Sequence, residues 1–220
     1  MAGAPTADEV LRNGNNGELR SDTERKKIGV FAAMLGVEEQ APKFLPQTQA
    51  LDAKLIERDA KSKFRLKAVY LPQIVSFTGY NPGTIVIDTQ ARFLYLVETD
   101  TTARRYGIAV GRQGLQYKGN VTVGDKQEWP RWIPTKEMQD RDPKKYGQYK
   151  DGMPGGLNNP LGARAIYLYD GKKDTYLRIH GTTEPQSIGS SASNGCFRMV
   201  NEYVQELYNR VKLGTNVVVL

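Results

Sequence analysis

Cysteine and histidine are nearly absent: 220 residues include one of each, Cys196 and His180. A single thiol cannot close an intrachain disulfide. A Cys/His metal site needs more ligands than the chain holds, so neither metal nor cofactor is expected. Long hydrophobic runs are missing too. The longest uncharged apolar stretch is residues 28–37, far short of the ~20 residues that span a membrane. There is no Walker loop, zinc-finger spacing or RNA-binding aromatic signature, and Lys and Arg are scattered rather than clustered. The net charge of +7 therefore does not point to nucleic acid. It leaves either a generally basic surface or one suited to an anionic membrane or an acidic polymer.

The chain does have a globular composition, with 39% apolar and 25% charged residues. Its length suits one packed domain with an extension, or two small domains. The first 20 residues, rich in Gly, Asn and small polar residues, read as a mobile arm. Residues 25–37 put basic residues before apolar ones, the outline of a signal sequence. However, the segment is internal, Glu38 and Glu39 follow it, and no small-x-small cleavage site follows convincingly. A short buried helix is the better reading.

Residues 48–64 read as a helix with Leu51, Leu55 and Phe64 near one stripe. Pro72 stops any continuation, and from Ile74 the texture turns to β. Residues 84–88 and 93–97 flank a short polar turn and predict a hairpin. Residues 106–110, 121–123, 163–169, 175–180 and 217–220 read as further strands. Residues 129–160 have no period and read as a long loop. Its Trp129, Trp132, Tyr146 and Tyr149 either wall a groove or pack the loop onto the sheet. Val200, Val204, Leu207, Tyr208 and Val211 share one helical face, with Asn201 able to cap the start and Gly214 to close the end. The fold class is mainly β over residues 71–220, after a partly helical or flexible extension over 1–70.

Both rare residues fall within residues 179–199. A strand delivers His180, and a Gly/Ser-rich connection returns the chain to Cys196. That arrangement can bring thiol and imidazole within hydrogen-bond reach. A free thiol titrates near ~8.5; a neighbouring imidazolium favours the thiolate, and the same ring can return a proton to a leaving amine. Acyl transfer also needs oxyanion donors, for which the amides of Gly195 and Cys196 are candidates. Arg198 either binds a substrate carboxylate or forms an ordinary salt bridge. A lone cysteine can equally be a small buried packing residue.

The stretch Ile179-His180-Gly181-Thr182-Thr183, followed by Ser193-Asn194-Gly195-Cys196-Phe197-Arg198-Met199, resembles the signature of the L,D-transpeptidase catalytic domain, the YkuD family. That signature is a His-Gly-Thr strand end, then Ser-x-Gly-Cys, a hydrophobic residue, Arg and a hydrophobic residue. Residues 83–88 with 93–95 look like the family's opening hairpin, and Asn159-Pro160-Leu161-Gly162 like its Pro-x-Gly segment. The resemblance covers residues 71–220 and adds nothing for 1–70.

The resemblance implies a β-sandwich with a short helix after the cysteine, and export to the periplasm with a leader outside this stretch. It implies peptidoglycan stem peptides as substrate. Cys196 would be the nucleophile and His180 the general base and acid, with the Gly181 backbone as the ring's orienter. Ser193, Asn194, Arg198, Trp129 and Trp132 are the substrate-binding candidates. The acceptor would be a second stem peptide, an outer-membrane protein, or water, which would make a carboxypeptidase. Carbapenems are the implied inhibitors. Where the family often has His, this chain has Asn194, so His180 must carry all proton transfer. A non-catalytic wall-binding module and a cysteine hydrolase of unrelated substrates are the other readings.

Overall fold

The computed structural model describes residues 44–111, 117–192 and 197–220. The segment read at 25–37 lies outside the described residues, as do Ser193, Asn194, Gly195 and Cys196. The described chain opens with helix α1, Pro46–Ala60. Pro46 starts it without penalty, because a first-turn N–H has no helical partner to lose. Leu51 and Leu55 are buried, but Phe64 lies beyond the helix and is exposed, which shortens the expected apolar stripe.

The strands are β1 (Gln73–Ser76), β2 (Ile85–Asp88), β3 (Phe93–Val97), β4 (Thr102–Gly107), β5 (Ala109–Gly111), β6 (Gly119–Glu128), β7 (Arg164–Asp170), β8 (Lys173–His180), β9 (Ser191–Ala192), β10 (Phe197–Arg198) and β11 (Asn216–Val219). They hydrogen-bond in the order β1-β4-β3-β2-β11-β6-β7-β8-β10-β5-β9. The consecutive strands β4 and β5 thus stand near opposite ends of that order. Only Ile108 separates them, so the sheet curls until its ends meet. The strand expected over 106–110 is broken at this point. The Ile108 amide leaves the ladder and donates to the Arg92 carbonyl at 3.0 Å.

Alternating side chains fill the inside of the curl: Ile85 and Ile87, Leu94 and Leu96, Ile166 and Leu168, Leu177 and Ile179. Helix α4, Asn201–Arg210, adds Val204, Leu207 and Tyr208 to the same core. (Helices α2, Lys136–Arg141, and α3, Pro143–Tyr146, lie between β6 and β7.) Val86 and Val218, on the opposite face, meet Phe77, Tyr80 and Tyr95.

Three local expectations change. The region 129–160 contains α2 and α3. Thr135 accepts from the Met138 amide at 3.3 Å and Asp142 from the Lys145 amide at 3.1 Å, so local caps overcome the missing period. At α4 the N-cap position belongs to Val200, which offers no side-chain bond. Asn201 is already helical and turns its amide onto neighbouring loops. The helix stops at Arg210, with extended backbone at Val211. Gly214, at φ +84°, serves the turn into β11 instead.

Candidate active site

β8 ends at the site. Leu177 and Ile179 point into the core, so period-two alternation sends Arg178 and His180 to the other face. The two-residue β10 runs parallel to β8, with Phe197 registered on Ile179 and Arg198 on His180. The Met199 amide donates to the His180 carbonyl at 2.8 Å. Phe197 shares the core with Ile179, which leaves His180 and Arg198 side by side on the far face.

His180 is only 4% exposed. Its Nδ1 lies 2.7 Å from the Gly181 carbonyl oxygen. A carbonyl has no proton to give, so Nδ1–H donates, and Nε2 of the neutral ring is left with a free lone pair. Burial pushes the imidazole pKa down to about 4, and the positive charges of Arg198 and Arg178 push the same way; the bond to Gly181 works against them. The ring is therefore neutral at physiological pH and available as a base.

Arg198 donates from Nη1 to Glu184 Oε2 at 2.9 Å, with its side chain 15% exposed and that of Glu184 60% exposed. The salt-bridging alternative for Arg198 is thus occupied, by a partner that stands largely in solvent. The two tryptophans part company. Trp129 is buried, its indole N–H donating to Asp52 Oδ1 at 3.0 Å, and it packs with Leu51, Leu55 and Ala163. It has almost no surface to offer a groove. Trp132 is half-buried and meets the rings of Tyr146 and Tyr149, each at 6.1 Å. Among the described residues no group of three His, Cys, Asp or Glu side chains is placed to hold a metal.

Sequence reasoning named Asn159 and Asn201 but not Arg164, and it missed the contacts by which all three hold this end of the sheet. Arg164, 1% exposed, donates twice to Asp52 of α1. Asn159, equally buried, shares its amide group among the carbonyls of Pro130, Met153 and Pro154 and accepts from the Leu161 amide, pinning both ends of the 129–160 excursion. Asn201 bridges residues 163 and 182. A polar residue followed by proline was the one local hint at Asn159.

The family model for the L,D-transpeptidase catalytic domain, YkuD, matches residues 82–219. This chain belongs to that family. It is 31% identical over 140 residues to the probable L,D-transpeptidase ErfK/SrfK of Escherichia coli (strain K12), covering 63% of this chain and 44% of that one. It is 32% identical over 137 residues to the putative L,D-transpeptidase YkuD of Bacillus licheniformis, covering 62% and 64%. The chain thus spans under half the length of the first curated L,D-transpeptidases it matches. A crystal structure from Brucella melitensis, described as a probable carnitine operon oxidoreductase, is 66% identical and covers 74% of this chain and 98% of its own, with a TM-score of 0.50. The mainly β architecture read from the sequence is the architecture of this L,D-transpeptidase domain, with its helix after the second motif segment.

Proposed function

We propose that this chain is a peptidoglycan L,D-transpeptidase in which Cys196 attacks the diaminopimelate–D-Ala bond of a tetrapeptide stem. The catalytic unit is residues 71–220, with 1–70 as its extension. The neutral, buried His180, with Nδ1–H held by Gly181 and Nε2 left to accept a proton, carries the reading. Covalent continuity adds support: Cys196 immediately precedes Phe197, which is registered on the neighbour of His180.

Nε2 takes the thiol proton, and sulfur adds to the amide carbonyl. The oxyanion is held by the amides of Gly195 and Cys196. The C–N bond breaks, and D-Ala leaves with the proton returned from Nε2. An acceptor amine then displaces the thioester and the thiol is restored. His180 starts neutral, so it works as a general base rather than as the cation of a resting ion pair. Ser193, Asn194, Arg198 and Trp132 are the substrate-binding candidates, Arg198 releasing Glu184 in favour of a substrate carboxylate. The acceptor is another stem peptide or an amine on an outer-membrane protein. Such work lies in the periplasm, and among the described residues no helix is long and apolar enough to cross a membrane.

The oxidoreductase wording belongs to the Brucella protein. This chain contains no Gly-x-Gly-x-x-Gly dinucleotide fingerprint, and the L,D-transpeptidase family model matches its residues 82–219. The test is mass spectrometry of the protein incubated with disaccharide-tetrapeptide. Loss of D-Ala with dimers linked between diaminopimelate residues is the expected result. Loss of D-Ala without dimers makes the protein a carboxypeptidase, or a transferase for another acceptor. No change, with Cys196 reduced and alkylatable, leaves a wall-binding module.

A further inference from the structure

We propose that Asn201 is a positioning residue for His180, acting through the backbone of Thr182, which follows Gly181; the proposal rests on His180 being the base of the reaction above. Asn201 is 4% exposed and is the first residue of α4. Its Oδ1 accepts from the Ala163 amide at 3.0 Å and from the Thr182 amide at 3.3 Å. Its Nδ2 donates to the Thr182 carbonyl at 2.8 Å. One planar amide thus binds three backbone groups on two chain segments. The Gly181 amide is held separately by the Arg164 carbonyl at 3.1 Å. Between these anchors the Gly181 carbonyl can point only where it does, onto Nδ1 of His180.

The surrounding sequence is shaped to this side chain. A Cβ at Gly162 or at Gly181 would collide with Asn201 Oδ1, and Gly162 also holds a positive φ of 66°. Two glycines therefore clear the space for one amide. The helix start supplies a rigid base for it, and a base whose orienter is itself fixed keeps a single tautomer. A residue that only capped α4 would need none of these contacts.

The chain has one histidine, so its ring nitrogens give unambiguous nitrogen NMR signals. The unsubstituted protein is expected to show the Nδ1–H tautomer. In Asn201→Ala we expect a tautomer mixture, with kcat for D-Ala release down at least tenfold and KM within about twofold. A folded variant with an unchanged tautomer, or with a changed tautomer and unaltered kcat, overturns the proposal. Should Asn201→Ala fail to fold, Asn201→Asp keeps the accepting oxygen, loses the donor to Thr182 and sets a carboxylate oxygen against the Thr182 carbonyl. It should show a tautomer mixture and a lower kcat than the unsubstituted protein, and identity with the unsubstituted protein overturns the proposal. The tautomer readout needs no turnover. If the unsubstituted protein releases no D-Ala, the transpeptidase reading fails while the hold of Asn201 on His180 is still judged by NMR.

Discussion

Asp52 and Arg164, 112 positions apart, meet through two side-chain hydrogen bonds of 3.0 and 2.6 Å. Arg164 is almost wholly buried, its side chain 2% exposed against 19% for Asp52. The same carboxylate accepts from the Trp129 indole and from Gln205 of α4. One residue of the N-terminal helix therefore ties together β7, α4 and the start of the 129–160 excursion.

Removing that carboxylate leaves a buried guanidinium, an indole N–H and an amide without their acceptor. Breaking a buried pair from one side costs about 3–5 kcal/mol. Asp52→Ala is expected to lower stability by that order and Asp52→Asn by less, because an amide oxygen remains to accept. Urea denaturation of both variants checks this. An Asp52→Ala midpoint equal to that of the unsubstituted protein would show that the Asp52 carboxylate contributes nothing to the fold.

Such a pair could not be read from the sequence, since nothing local to Asp52 or Arg164 marks the other. What was legible was periodic. The hairpin at 84–88 and 93–97 is β2 and β3, Val204, Leu207 and Tyr208 of the set spaced along 200–211 lie on the buried face of α4, and 217–220 overlaps β11. The two-residue strands β9 and β10 are too short to have a period, although β10 supplies the register that sets Arg198 beside His180. At Asn201, a residue type that favours helix starts suggested a cap. Its real partners are two segments remote in sequence, visible only once the sheet is closed. The candidate base was legible because the chain has no second histidine. Its neutrality was not, because burial and the flanking arginines are properties of the fold.

Activity should persist at an acidity where an ordinary histidine base would be protonated. A free imidazole titrates near ~6.5, whereas His180 does so at about 4. The acid limb of kcat/KM for D-Ala release is expected well below pH 6.5. A limb at the ordinary histidine value would mean that the ring is more hydrated than this structure has it.

Arg198 lowers the His180 pKa by its charge. In Arg198→Gln that repulsion is gone. The acid limb is expected to move up in pH. If Arg198 also binds a substrate carboxylate, KM rises at every pH, an effect separable from movement of the limb. A pH profile of kcat/KM for the variant distinguishes them, and an unmoved limb argues against coupling between Arg198 and His180.

The same depressed pKa makes stability depend on pH. Between about pH 4 and 6.5 the unfolded chain binds a proton at this residue that the folded chain refuses. Stability from this site is therefore complete above 6.5 and lost as pH falls toward 4, by on the order of 3 kcal/mol. Carboxylates titrate in the same range, so the quantity to measure is the difference from His180→Gln. Denaturation midpoints of the two proteins should converge or cross on acidification, and a pH-independent difference would contradict a buried neutral ring.

On the proposed mechanism a carbapenem would offer Cys196 a strained amide in place of the donor peptide bond. Attack would open the lactam ring, its nitrogen taking the proton that His180 carried, so no atom would be lost and the protein would gain the full mass of the drug. Intact-protein mass spectrometry should show that gain for the unsubstituted chain and none for Cys196→Ala. His180→Ala keeps the thiol but loses the base, so its acylation is expected to slow by 10²–10⁴-fold, the usual contribution of a positioned base. Its remaining rate should rise with pH toward the thiol's own titration. Acylation of His180→Ala at the unsubstituted rate would remove His180 from the mechanism, even with Cys196 upheld as the nucleophile.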